Sequence, residues 1–268
     1  MISNFPTPYP DELIYSVIAR YAVHNGILSP KYLTEELFNK RSLTPTYDLP
    51  SHLDKLASYL PAQYDALILI NQHTLLPLYQ PFQPETVIRY AVQALKNEKY
   101  QSLHTKLGKN ASRIKSLSFF RFCPFCWEEQ IEQYGELYWK RSWQITGYEY
   151  CTKHQQPLFL SSIPCNGLDR KFYIAHLNVL KDSSQLVLHH QDLHHHIELA
   201  ELIEELMSQA SCVNLRDFSL LSNLYFFILK DHGLLSGCKN INYEKVRQRV
   251  IEYWGESFLQ YYHLDDLC

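Results

Sequence analysis

The sequence predicts a mainly α-helical protein in three parts, on three observations. Glycine occurs only 8 times in 268 residues, well under the usual share of about 7%, which disfavours a turn-rich barrel or sandwich. Apolar residues recur at three- and four-residue spacing through most longer segments, the stripe of amphipathic helices. Midway, a Cys/His quartet marks a unit that a metal would staple. The parts are an N-terminal helical unit over residues 1–118 with a helix-turn-helix-like pair, a zinc-binding knuckle or ribbon over 119–165, and a C-terminal helical unit over 166–268 that also resembles a helix-turn-helix.

Residues 1–10 are extended, because Pro6, Pro8 and Pro10 push their neighbours out of helical geometry. A helix follows with Asp11 and Glu12 near its positive end. Its stripe is Leu13, Ile14, Val17, Ile18, Tyr21 and Ala22, and Asn25-Gly26 stops it. Ser29-Pro30 opens the next helix, serine as N-cap and proline at its first position. This pair has the shape of a helix-turn-helix, although Glu35 and Glu36 put carboxylates where a DNA reader wants donors. Residues 49–60 read as a short helix capped by Ser51. Another short helix and a proline-rich turn fill 64–82, and 84–98 form a helix begun by Pro84 and Glu85. Residues 157–164 are a strand, 171–182 are ambiguous, and 183–196 form a loop. Residues 192–208, 215–231 and 242–262 are three further helices.

The net charge of −3 argues against bulk attraction to nucleic acid, yet the charge is uneven. Residues 89–121 hold eight Lys/Arg against Glu98 alone, whereas 192–207 hold Asp192 and four glutamates with no Lys or Arg. Lys106, Lys109, Arg113 and Lys115 are therefore candidate phosphate contacts, as are Lys245, Arg247 and Arg249. The start has no secretory signal pattern. The longest uncharged run, 66–84, is too polar and broken to span a bilayer. A soluble, cytoplasmic protein without a membrane partner is expected. Seven cysteines fit a reducing compartment, with Cys165, Cys212, Cys238 and Cys268 as packed thiols.

The quartet is C-x2-C-x24-C-x2-H: Cys123, Cys126, Cys151 and His154. Each pair can offer two ligands from one tight turn, and Pro124 stiffens the first. Four filled positions mark a structural zinc site, since a catalytic one keeps a position open. His189, His190, His194, His195 and His196 invite a second site, but neighbouring histidines on one loop point apart. No phosphate loop, nucleophile elbow or H-E-x-x-H occurs, so no catalytic residue is assigned and no enzyme is expected.

The stretches "NFPTPYPDELIYSVIARYAVHNGILSPKYL", "LPSHL", "HTLLPLYQPF", "ASRIKS" and "FRFCPFCWEEQIEQYGELYWKRSWQITGYEYCTKHQQPLF" resemble the TniQ/TnsD family of Tn7-like transposons, closely over about residues 3–160 and more loosely beyond. The resemblance implies a target-selection adaptor that recruits the AAA+ ATPase TnsC. It carries the family's zinc ligands onto the quartet. It also carries a TnsC-facing segment onto Asn4, Phe5, Pro6, Tyr9, Glu12, Leu13, Tyr15 and Arg20, with Phe5 and Tyr9 as exposed aromatics. Shorter members dock on an RNA-guided CRISPR effector of the Cascade type with its guide RNA; longer ones read attachment-site DNA through C-terminal helix-turn-helix units. The weakly acidic balance favours the effector-docking role, a truncated attachment-site reader being the alternative. Target DNA is a partner in either case.

Overall fold

The computed structural model describes residues 2, 4–97, 102–109, 112, 114–165, 169–209, 218–237, 240–264 and 266, with the backbone alone for 218–221. The mainly helical architecture is as the sequence predicts. The first helices are α1 (Ile14–His24), α2 (Pro30–Phe38), α3 (Leu53–Ala57), α4 (Ala66–His73), α5 (Leu76–Tyr79), α6 (Glu85–Lys96) and α7 (Leu103–Lys106). Next come β1 (Phe119–Phe122), α8 (Pro124–Tyr134), β2 (Tyr150–Cys151), β3 (Gln156–Pro157), β4 (Phe159–Pro164) and β5 (Ser184–Gln185). The chain then runs through α9 (Leu193–Gln209), α10 (Phe218–Asp231), β6 (Leu235–Ser236), β7 (Asn240–Ile241), α11 (Tyr243–Trp254) and α12 (Glu256–Tyr261). Among the described residues, no helix is long and apolar enough to cross a membrane.

Local chemistry explains most ends. Asn25 and Gly26 (φ 63°) close α1, and the Ser29 hydroxyl accepts from the Tyr32 N–H ahead of Pro30. Asp65 caps α4 in the same way through Ile68. Two expectations fail here. Asp11 and Glu12 precede α1 rather than lying in its first turn. Asp11 instead accepts from Arg141 Nε (2.9 Å) and Ser142 Oγ (2.7 Å), while the Glu12 carboxylate accepts from Arg20 (2.7 Å) and its backbone makes an isolated β-bridge with Lys140. Buried pairing with arginine outweighs the few tenths of a kcal/mol to about 1 kcal/mol that a helix dipole offers. Nor does Ser51 cap α3. The N-cap is His52, in left-handed geometry without a side-chain cap, and the Ser51 hydroxyl bonds His52 Nδ1 at 2.8 Å.

A three-stranded sheet, ordered β1-β4-β5, forms the middle. β1 and β4 are antiparallel, Arg121 opposite Leu160 and Phe122 opposite Phe159. The strand over 157–164 is thus found as Phe159–Pro164, while β1, whose "FFRF" hides an arginine, was not foreseen. Residues 177–182 settle into a 3-10 turn. The loop expected at 183–196 is shorter than predicted, since His194, His195 and His196 lie in the first turn of α9. His196 is buried among Phe258, Tyr261 and Tyr262, with Nδ1 3.1 Å from the Tyr262 hydroxyl. The helix over 242–262 divides at Gly255 (φ 77°) into α11 and α12. Residues 215–217 of the preceding predicted helix lie outside the described residues.

Two apolar clusters meet along α1. Ile14, Val17 and Ile18 point into one, built with Leu37, Leu53 and Ile70 of the N-terminal helices. Leu13 and Tyr15 point into the other, which gathers Trp127, Trp139, Trp143, Phe120 and the sulfur-bearing Cys123, Cys126 and Cys151. α9 seals this second cluster through Ala200, Ile203 and Met207. At Gly147 (φ 106°) a Cβ would lie 3.1 Å from Leu199, so glycine is what lets α9 sit this close.

Candidate metal centre

The first cysteine pair sits not on a free-standing tight turn but at the start of a helix. Cys123 is the N-cap of α8, Pro124 its first residue and Cys126 lies one turn on. Proline belongs there because its missing N–H would be unpartnered in any case. The second pair lies on the β2–β3 hairpin: Cys151 ends β2 and His154 sits in the turn. The four ligand atoms all fall within 4.8 Å of one another. His154 Nδ1 is 3.5, 3.2 and 3.7 Å from the sulfurs of Cys123, Cys126 and Cys151, and the sulfurs of Cys126 and Cys151 are 3.8 Å apart. The three cysteines are buried and unbridged.

Such a set could hold a metal ion. Hydrogen bonds from the other two thiols hold Cys123 low, while the same contacts with Cys123 push Cys126 and Cys151 up. Without a cation the three sulfurs therefore share little negative charge, and a cation would let all of them ionise. Neighbouring groups orient the ligands. Gln156 Nε2 donates to Cys123 Sγ at 3.2 Å. His154 Nε2 faces Glu129 Oε1 at 3.3 Å, the carboxylate partner that fixes a ligating imidazole, and Lys153 in turn holds Glu129 at 2.5 Å. Among the described residues this is the only such group; the histidines at 189–196 do not make a second.

The far end of α8 meets the N-terminal segment. Tyr9 stacks against Tyr134 and Tyr138 at ring separations of 4.2 and 5.2 Å, with the Arg20 guanidinium 3.9 Å above its ring. Arg20 pairs with Glu12 (2.7 Å) and Glu136 (2.8 Å). Glu12 also accepts from the Tyr9 N–H at 2.9 Å, and its carbonyl takes the His73 Nδ1–H at 2.7 Å. Burial holds His73 neutral, its pKa lowered to about 4.

The family model TniQ matches residues 4–158. The chain belongs to the TniQ family. It is 34% identical over 259 residues, 96% of its length, to the Transposon Tn7 transposition protein TnsD of Escherichia coli, and it spans about half the length of that protein.

In this TniQ-family chain the predicted partner-facing residues are mostly interior. Phe5 is buried against Tyr21 (5.3 Å) and Tyr59 (6.0 Å), not exposed. Pro6, Glu12, Leu13, Tyr15 and Arg20 are buried too, Tyr9 is half-buried, and Asn4 is exposed. A proline-rich stretch with spaced aromatics suits a strap closing over α1 as well as it suits a free surface, and burial decides between them.

The basic run likewise divides. Arg121 is fully buried, donating to Glu149 and to the carbonyls of Trp143 and Ile145. Lys109 Nζ lies 2.5 Å from Asp48, which also takes His104 at 2.9 Å. Burial alone would raise Asp48, but these two partners bring it down to about 2. Lys106 is exposed over the Tyr90 ring (4.2 Å) and Lys115 is exposed; Arg113 lies outside the described residues. On α11, Lys245 reaches the Gly233 carbonyl (3.3 Å), Arg249 pairs with Glu252 (3.1 Å), and half-buried Arg247 faces Glu244 (4.0 Å). Cys165 is buried, its thiol pushed up to about 12; Cys212, Cys238 and Cys268 lie outside the described residues.

Proposed function

We propose that this chain is a non-catalytic target-selection adaptor of a Tn7-like transposon, which marks an insertion site and recruits the AAA+ regulator TnsC. The observation that carries this reading is the likeness to TnsD along nearly the whole chain, joined to the TniQ family match over residues 4–158. The metal in this reading is one structural zinc ion held by Cys123, Cys126, Cys151 and His154. A zinc tetrahedron with bonds of about 2.3 Å to sulfur and about 2.0 Å to nitrogen has edges near 3.8 Å between sulfurs and near 3.5 Å from sulfur to nitrogen. The distances of 3.8 Å and 3.2–3.7 Å support that fit. Four protein ligands leave no position for substrate, so zinc would set the angle of α8 and take no part in a reaction.

Two ways of finding the site follow. An RNA-guided effector of the Cascade type, docked through protein and RNA surfaces, is supported by the commitment of Lys109 and Arg121 to internal pairs, which leaves a smaller phosphate-facing surface than the count of charges suggests. Direct reading of attachment-site DNA is supported by the likeness to TnsD. Purified, zinc-loaded chain is incubated with TnsC and, separately, with effector or attachment-site DNA. Capture of TnsC without nucleotide turnover by the adaptor is expected. No capture of TnsC under any of these conditions would refute the adaptor. A DNA shift with steep salt dependence would select the second way.

A further inference from the structure

The metal centre and the N-terminal segment occupy opposite ends of one helix. α8 is 11 residues long, about 16 Å at 1.5 Å per residue. Only Cys126, Trp127 and Gln130 of it are buried, so apart from the metal ligands it is fixed mainly by the Trp127 ring and by Gln130, whose Oε1 accepts the Tyr138 N–H at 3.0 Å. Gly135 (φ 75°) ends it, and Glu136 follows at once. That carboxylate collects three groups from elsewhere in the chain: the Tyr9 hydroxyl (2.7 Å), Arg20 Nη2 (2.8 Å) and His24 Nε2 (2.8 Å). Tyr138, just beyond, donates to the Pro10 carbonyl at 3.1 Å. The strap over residues 7–10 is thus tied down by the end of the helix that the metal ligands start, while Phe5 before it is anchored in the cluster of the N-terminal helices.

We infer that metal loading controls how firmly the N-terminal strap is held, with α8 as the lever and Glu136 as the positioning residue that couples the two ends. With the metal bound, Cys123 and Cys126 are pinned to Cys151 and His154, the helix axis is fixed, and Glu136 stands where Tyr9 and Arg20 meet. Without it, the first turn of α8 loses two of its anchors, and a displacement of about 1 Å at Glu136 carries its contacts of 2.7–2.8 Å beyond hydrogen-bonding distance together. The strap then exchanges between held and released forms while the N-terminal helices stay packed around their own cluster. This inference rests on the zinc reading above but not on TnsC.

Amide exchange of the whole zinc-loaded chain tests it, read at Tyr9, Glu12 and Leu13, whose N–H groups bond Glu12, Tyr9 and Trp139. Chelation should speed exchange at these amides at least tenfold and leave α3, α4 and α6 near their starting rates. Glu136→Ala, with zinc content checked at one per chain, should show the fast rate already and gain little more on chelation; Glu136→Gln should fall between. The inference is overturned if chelation leaves the three amides protected. It is equally overturned if chelation exposes α3, α4 and α6 to the same degree, or if Glu136→Ala still responds to zinc removal as the parent does.

Discussion

α1 and α10 look alike in sequence and differ in what covers them. Both carry an apolar stripe and each begins a stretch readable as a helix-turn-helix. α1 buries nine of its eleven residues, Arg20 among them. On α10, Leu224, Tyr225, Phe227 and Ile228 are 41–65% exposed, and α11 buries none of its residues. Periodicity tells that a helix has a face; it does not tell whether the chain covers it. The difference predicts where substitutions will matter: heavily where α1 and the metal centre share a core, lightly on α10 and α11.

The largest effect should come from the metal centre. Cys123→Ser removes one ligand and leaves two buried thiols and an imidazole around a weakened site. Apparent zinc affinities of about 10–16 kcal/mol for structural sites rival the entire stability of a typical domain, about 5–15 kcal/mol. Zinc content should fall from one per chain to near zero, and the cluster around Trp127, Trp139 and Trp143 should lose its near-ultraviolet dichroism. A variant that, even in chelator, melts like the zinc-loaded parent would remove the metal centre from the heavily weighted side of the comparison.

Arg20→Ala comes next, at about 3–5 kcal/mol in urea denaturation at pH 8 and less in acid, since it leaves the fully buried Glu12, whose pKa burial already raises to about 7, without its cation. The corresponding surface pair, Arg249 with Glu252, should contribute under about 1 kcal/mol when either partner is removed. Equal effects from the two arginines would erase the contrast between α1 and α11.

A third test uses acid. Asp48 has its pKa depressed from 3.8 to about 2. Its contribution is therefore complete above pH 3.8 and is lost as pH falls through about 2, amounting to about 2 kcal/mol at 1.36 kcal/mol per unit. Urea melts of the parent and Asp48→Asn between pH 2 and 6 should converge as the pH falls and part by that amount above pH 4. Parallel curves would show that His104 and Lys109 do not hold the carboxylate ionised.

What the residues disclosed in advance was whatever neighbours in sequence decide. The Ser29 cap, the Asn25-Gly26 stop and the ligand quartet need at most three residues of context each, or a repeated spacing. What stayed hidden were the charges that the fold buries. Arg20 meets Glu136 from 116 residues away and Glu12 from nearer by, and Arg121 meets Glu149. A buried arginine and a solvated one look identical until the partner is known, which is why Arg121 counted toward a phosphate-facing surface and Phe5 toward a docking one. His196 was hidden for the same reason, because its aromatic surroundings come from α12.

The smallest expected effect is the sharpest check on the opening contrast. Phe227 is 65% exposed, so Phe227→Ser removes a ring that already faces solvent, and nothing inside the chain is left with a cavity. Such substitutions usually move stability by no more than about 0.5 kcal/mol in either direction, against about 3–5 kcal/mol for emptying a buried phenylalanine site. The urea midpoint of the variant should therefore match the parent within error, and its solubility should rise as apolar surface is lost. A drop of more than about 2 kcal/mol would mean that α10 is packed in the free chain. The two helices would then differ in degree only, and the light side of the comparison would shrink to α11.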